Sequence, residues 1–279
     1  ARLIPLRKKF SWNVFMHVVM QARLDRAAVA GADNLDTGAM AKARLPRASF
    51  INMLKGLRNW IAGLAPPGGA TVWQDYARDN SYAGAEAEEK KCKVAEMIAD
   101  LKPDLVLDLG CNSGDYSIAA LEAGAGQVVG FDVDFGALEA AFGRARQDRL
   151  DFLPLYFDAA NPSPDQGWAQ AERSGFATRA RGDVVLALAF VHHLAIARNI
   201  PLATLVDWLI DRAPHGIIEF VPKEDAMVQR LLSLREDIFP DYVLDNFLAA
   251  IQARADIVSN DQVSASGRRL VRFARRAVG

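Results

Sequence analysis

Three acids stand where apolar runs of strand type end. Asp108 follows Leu105-Val106-Leu107, Asp132 follows Val128-Val129-Gly130-Phe131, and Asp158 follows the run 151–157. The first acid leads into a small-residue loop, Gly110-Cys111-Asn112-Ser113-Gly114, and then an apolar stretch of helical character, Ile118 to Ala123. Such a junction brings backbone N–H groups and a helix N-terminus to one point, where a ligand can approach closely. A dinucleotide fingerprint needs G-x-G-x-x-G, yet the third and sixth positions from Gly110 are Asn112 and Asp115. A phosphate loop needs a Lys after its last glycine, and none follows Gly114. A carboxylate at Asp108 repels a pyrophosphate and suits a ligand carrying an ammonium and a sulfonium. Asp132 lies 24 residues further on, near the spacing of about 20 at which an acid meets a ribose in open α/β sheets. A fourth apolar run, Gly182 to Val191, ends in His192-His193. Imidazole, with a pKa of about 6.5, can take a proton at neutral pH. Adjacent side chains diverge and no Cys/His cluster is near, so no metal site is expected.

The stretch 108–114 resembles motif I of class I S-adenosylmethionine (SAM)-dependent methyltransferases, acid-x-Gly-x-Gly-x-Gly, with Asn112 in place of the middle glycine. Asn tolerates left-handed backbone angles better than most residues, so the departure is mild. The resemblance implies that Asp108, Gly110, Asn112 and Gly114 hold the methionine part of SAM and that Asp132 and Val133 meet the ribose side. Asp158 resembles motif III, whose acid holds the adenine amino group, with Ala159 beside it. Ala189 and Tyr82 complete the implied cofactor contacts, and S-adenosylhomocysteine (SAH) is the implied product. Tyr76, Asn80 and Tyr82 precede the first strand, where such enzymes often carry a lid. His192 and His193 are the candidate catalytic residues, as base or as cofactor and structural contacts. Methyl transfer needs mainly in-line placement, so a base is optional. Asn161-Pro162-Ser163-Pro164 is rejected as the amine-methyltransferase motif, since it follows the third strand and lacks the aromatic.

These residues need a scaffold, and the chain supplies one. It has 279 residues, 51% of them hydrophobic, enough for a full core. Helices are expected near 6–29, 49–64, 86–101, 135–146, 201–212, 227–234 and 242–253. The fifth strand is expected at 215–221, and a closing antiparallel hairpin from 255–258 and 269–275. The run 162–181 is long for an α/β connection and reads as an insertion. Glu219 and Lys223 are expected to be solvent-exposed or paired with each other, and His17 to pack on an apolar helix face. Residues 1–70 hold eleven Lys/Arg against three Asp/Glu, the remainder twenty-two against thirty-one. That asymmetry allows nucleic-acid or membrane contact, but packing of the basic part on an acidic neighbour is favoured. Two cysteines give no disulfide framework, no signal peptide is visible and no apolar run reaches bilayer length, so a cytoplasmic setting is expected. Cys111 is read as a small residue filling tight space. The chain begins Ala1-Arg2-Leu3 without Met, as a piece of something longer would.

Several phrases also resemble one bacterial group, the nodulation-protein-related, methyltransferase-like proteins. They are Trp73-x-x-Tyr76, Asp108-Leu109-Gly110-x-Asn112-x-Gly114, Asn161-Pro162-Ser163-Pro164 with Gly167-Trp168, Leu186-Ala187-Leu188-Ala189-x-x-His192-His193-Leu194, and Ile218-Glu219-Phe220-Val221-Pro222-Lys223. The expectation is a basic helical segment, 1–70, before a Rossmann-like methyltransferase domain, 71–279, whose seven-stranded sheet is parallel except for its last strand. The function expected is methyl transfer from SAM to an unidentified acceptor, with a small molecule favoured. An RNA or protein methyltransferase, a non-catalytic SAM-binding module and a nicotinamide oxidoreductase are the rivals. Acceptor and oligomeric state are not written in the residues.

Overall fold

The computed structural model of the chain describes residues 10–23, 26, 46–64, 84–233 and 235–276. Trp73, Tyr76, Asn80 and Tyr82, the expected turn at 31–38 and the Pro-Gly boundary at 66–69 lie outside the described residues. The chain divides into two compact units, Ala1–Gly69 and Ala70–Gly279.

In the first unit a short α-turn, Trp12–Val14, runs into a π-helix, Phe15–Met20, and helix α1 spans Arg47–Ala62. Ser11 stands at the first N-cap without a side-chain cap bond. His17 is exposed, contrary to expectation. The i to i+5 winding of the π-helix takes its residues off the 3.6-residue stripe on which that expectation rested.

The second unit is a seven-stranded sheet in the order β3-β2-β1-β4-β5-β7-β6. Its strands are β1 (Leu105–Leu109), β2 (Gln127–Asp132), β3 (Phe152–Tyr156), β4 (Val184–Ala187), β5 (His215–Phe220), β6 (Ala255–Gln262) and β7 (Arg269–Arg275). The first five pair in parallel, while β7 pairs antiparallel with both β5 and β6. The expected hairpin is present, with β6 longer than the sequence suggested.

Among the described residues the longer α-helices accompanying the sheet are α2 (Gly84–Leu101), α3 (Asp115–Glu122), α4 (Phe135–Asp148), α5 (Leu202–Ile210), α6 (Ala226–Leu232) and α7 (Leu244–Arg254), and a π-helix, His193–Ala197, follows β4. Both sheet faces are covered because alternate strand residues point opposite ways. Val106, Val128, Val184 and Ile217 join Val94, Met97 and Ile98 of α2 and Leu138 and Ala141 of α4. Leu107, Leu109, Val185 and Ile218 join Leu205, Val206 and Leu209 of α5 and Phe247 and Ile251 of α7. Each fully buried Leu or Ile stabilises the fold by roughly 2 kcal/mol. Asp134 caps α4 by accepting the Ala137 N–H at 2.9 Å, as its position before the helix predicts. The long connection after β3 carries a 3-10 turn, Trp168–Gln170, and one helical turn, Phe176–Arg179. Among the described residues no helix is long and apolar enough to cross a membrane.

Candidate active site

The strand order reverses between β1 and β4, and a crevice opens there beyond their carboxyl ends. The cavity has a volume of about 300 Å³. Gly110 and Asn112 from the β1 loop, Asp132 at the end of β2 and Val133 just after it, Asp158 and Ala159 after β3, and Ala189 and His193 after β4 all line it. Asp108, Gly114 and His192 do not, and Tyr82 lies outside the described residues.

The β1 loop owes its shape to three left-handed residues. Gly110, Asn112 and Gly114 have φ of 83°, 47° and 86°. A Cβ on Gly110 would stand 3.1 Å from Phe190 in the cavity wall, and one on Gly114 would stand 2.5 Å from Phe152. Asn112 stabilises its own turn, its Oδ1 accepting the Ser113 N–H at 2.8 Å. That local bond explains why Asn replaces a glycine here. Cys111 is buried, and burial pushes its thiol well above the ordinary cysteine range. Its Sγ packs close to Gly130, which is the space-filling role expected.

Asp132 stands at the end of β2 with each carboxylate oxygen receiving a backbone N–H, Oδ2 from Asn112 and Oδ1 from Asp134, both at 2.9 Å. Burial raises its pKa, and the N–H groups of Asp134, Asn112 and Val133 oppose that rise. With about four lone-pair sites against these three N–H groups, the carboxylate keeps acceptor capacity for a ligand. Asp158 accepts the Ala160 N–H at 3.0 Å. Asp108 is turned into the protein, 2% exposed, and accepts the Ser117 hydroxyl at 2.6 Å. Desolvation pushes its carboxyl up to about 6, the Ser117 bond opposing.

The histidines differ. His193 faces the cavity, and burial, with Arg268 next in effect, lowers its pKa to about 4. His192 is wholly buried against it, ring centroids 4.1 Å apart, and neither of its ring nitrogens has a hydrogen-bond partner among the described residues. Burial holds His192 well below the usual histidine range.

Sequence reasoning missed the apolar walls and the ions behind them. Phe131, Phe157, Leu188 and Leu231 line the cavity, with Arg198 in its lining too. Phe157 stacks on Phe176 at 3.9 Å, so the connection 162–181 supplies the backing of one wall. Glu219 and Lys223 are not paired with each other: Lys223 binds Asp237 at 2.7 Å, while Glu219 is fully buried and binds Lys90 at 2.5 Å. An acid within an otherwise apolar strand was the available signal, because such a group enters a core only with a partner.

The comparisons with known proteins agree with this fold. A family model described as ribosomal protein L11 methyltransferase (PrmA) matches residues 92–153, the part from α2 into β3. N-methyltransferase NodS from Bradyrhizobium japonicum WM9, solved with SAH, superposes with a TM-score of 0.51 at 13% identity, covering 74% of this chain and 98% of NodS. Together with the sheet order, this defines the class I methyltransferase fold. By sequence, the chain is related to nodulation protein NoeA of Rhizobium meliloti (strain 1021), 47% identical over 276 residues and 99% of this chain. It spans 58% of the length of that relative. Ribosomal protein L11 methyltransferase of Shewanella sp. (strain ANA-3) is 43% identical over 65 residues, 23% of this chain and 22% of that protein.

Proposed function

We propose that the chain is a SAM-dependent methyltransferase which binds its cofactor in this cavity and methylates a small-molecule acceptor by direct displacement, releasing SAH. The observation that carries the reading is the convergence of Asp132, Asp158 and the Gly110 loop on one cavity at the sheet's switch point. Two features fit SAM. The left-handed Gly110 leaves room at the wall that a Cβ would fill against Phe190. Arg198 is the one permanent cation among the described lining residues, against two carboxylates, which suits an uncharged nucleoside better than a pyrophosphate.

When bound, SAM supplies a methyl group on a sulfonium centre. Asp132 accepts the ribose hydroxyls and Asp158 the adenine amino group, with Val133 and Ala159 beside them. The backbone of Gly110, Asn112 and Ala189 runs along the methionine part, while Asp108 and Gly114 act through the loop they shape. His193, neutral at pH 7, orients the acceptor; with a pKa of about 4 it is a weak proton acceptor there. The free state of Cys92 and Cys111 fits a cytoplasmic setting.

Calorimetry with SAM, SAH and NAD on the wild type and Asp132→Ala tests the reading. Binding of SAM and SAH but not NAD, weakened in the variant, is expected. NAD binding without SAM binding overturns it, and binding without turnover on any acceptor would leave a cofactor-binding module. A macromolecular acceptor has one feature in its favour, the net charge of plus eight carried by residues 1–70. RNA binding that falls steeply with salt would select it. The L11-methyltransferase match does not, because residues 92–153 lie on the cofactor half of the sheet.

A further inference from the structure

Behind the β4 side of the cavity lie four charged residues, Lys90, Glu219, Asp225 and Arg268, each 1% exposed or less. They come from α2, β5, the turn after β5 and the turn before β7. Glu219 Oε2 accepts from Lys90 Nζ at 2.5 Å and from the Ala189 N–H at 2.7 Å. Its Oε1 lies 3.6 Å from Arg268 Nη1. Arg268 grips Asp225 with two bonds, Nε to Oδ2 at 2.6 Å and Nη2 to Oδ1 at 2.8 Å. Asp225 in turn caps α6, accepting the Met227 N–H at 3.0 Å.

Both ends of this chain of contacts meet the cavity. Ala189 lines it with φ of 49°, a left-handed angle that a residue with a Cβ keeps only where its surroundings over-determine it. The β4–β5 ladder pairs residues as far as Ala187 with Ile218. Glu219 is the next residue of β5, so its carboxylate takes hold of the chain beyond β4 just where the ladder lets go. At the other end, α6 carries Leu231 into the cavity lining. Buried ion pairs seldom stabilise a fold more than apolar residues of the same volume would, so stability alone does not account for this one.

We infer that the Lys90–Glu219–Arg268–Asp225 network is a positioning device for the cavity, in which Glu219 fixes the Ala189 peptide at the tip of β4 and Asp225 fixes the helix that bears Leu231. The role in cofactor binding rests on the SAM reading above. Lys90 serves by holding and aiming the Glu219 carboxylate, and neither residue touches the ligand.

Two double variants separate geometry from charge. Lys90→Met/Glu219→Gln and Lys90→Met/Glu219→Leu both abolish the ion pair, but Gln alone keeps an oxygen for the Ala189 N–H. SAH affinity by calorimetry is expected to stay within about threefold of wild type in the Gln variant and to fall about tenfold or more in the Leu variant. Equal affinities in the two overturn the inference. Amide exchange of the wild type gives a second arm that needs neither ligand nor mutation. The Ala189 N–H is expected to exchange as slowly as that of Leu186 within β4, and exchange at the rate of an open loop overturns the inference. If the Leu variant does not fold, or if wild type binds no SAH, this second arm decides. The latter result defeats the SAM reading without touching the hold on Ala189.

Discussion

The β1–β3 half of the sheet and the β4–β5 half both place acids at strand ends, and they use them in opposite ways. Asp132 and Asp158 are half-buried, are steadied by backbone N–H groups and still present lone pairs to the cavity. Glu219 and Asp225 are sealed from solvent, and their contacts include Lys90, Arg268, the Ser266 hydroxyl and backbone N–H groups. A carboxylate steadied by neutral dipoles keeps its charge available to a ligand. One locked to a buried cation has that charge neutralised and can act only by holding what it touches. The first half is therefore read as binding surface and the second as frame.

The sharpest way to break that contrast is to remove one buried cation. Lys90→Met alone takes from the buried Glu219 carboxylate the ammonium that lies 2.5 Å away, and an unfolding free energy lower by about 3–5 kcal/mol is expected in denaturant titration. Pairing the change with Glu219→Leu should recover most of the loss. A single variant as stable as wild type would show the pair is not sealed. On the binding half the expectation reverses. Asp132→Ala should weaken SAH binding on the order of 100-fold, the value of two hydrogen bonds to a charged acceptor, while its melting temperature moves by a few degrees at most. A collapse of stability with unchanged affinity would place Asp132 in the frame.

The two halves were not equally legible. Asp108, Asp132 and Asp158 each close an apolar run and the glycine loop is continuous in sequence, so local pattern together with the resemblance to methyltransferase motifs I and III pointed to the half read as binding surface. The sheet was readable for the same reason, since buried parallel strands are unbroken apolar runs. The frame was not, because Lys90 and Glu219 are 129 residues apart and nothing local joins them. Glu88, Glu89 and Lys91 flank Lys90, so by composition it reads as one more charge on a solvated helix face. Helical phase against Val94 and Met97 was the clue to its burial. Arg198, at the end of the π-helix His193–Ala197, and Leu231, in α6, line the cavity through tertiary packing that local spacing does not encode.

Asp108 tests the boundary between the halves, being buried like the frame yet part of the binding loop. Its folded pKa of about 6 lies above the ordinary 3.8, so the folded state holds this proton more tightly than the unfolded state. Asp108 therefore destabilises the fold fully above pH 6, and the penalty shrinks as pH falls toward 4. Asp108→Asn, which keeps an oxygen for Ser117, should raise stability at pH 7.5 by about 2 kcal/mol and have no effect near pH 4. A variant less stable at pH 7.5 would mean the ionised carboxylate is needed where it stands.

The smallest effect expected is at His193, the histidine that shares the cavity with the acids. Burial lowers its pKa to about 4, with the positive charge of Arg268 acting in the same sense, so its ring stays neutral from pH 8 down to about 5. Arg268 of the frame thus acts on the cavity histidine through its charge. Nuclear magnetic resonance of the imidazole should show no titration across that interval and a midpoint near 4. A midpoint near 6.5 would make His193 a competent base at neutral pH, and the division between a binding half and a silent frame would then fail at the acceptor.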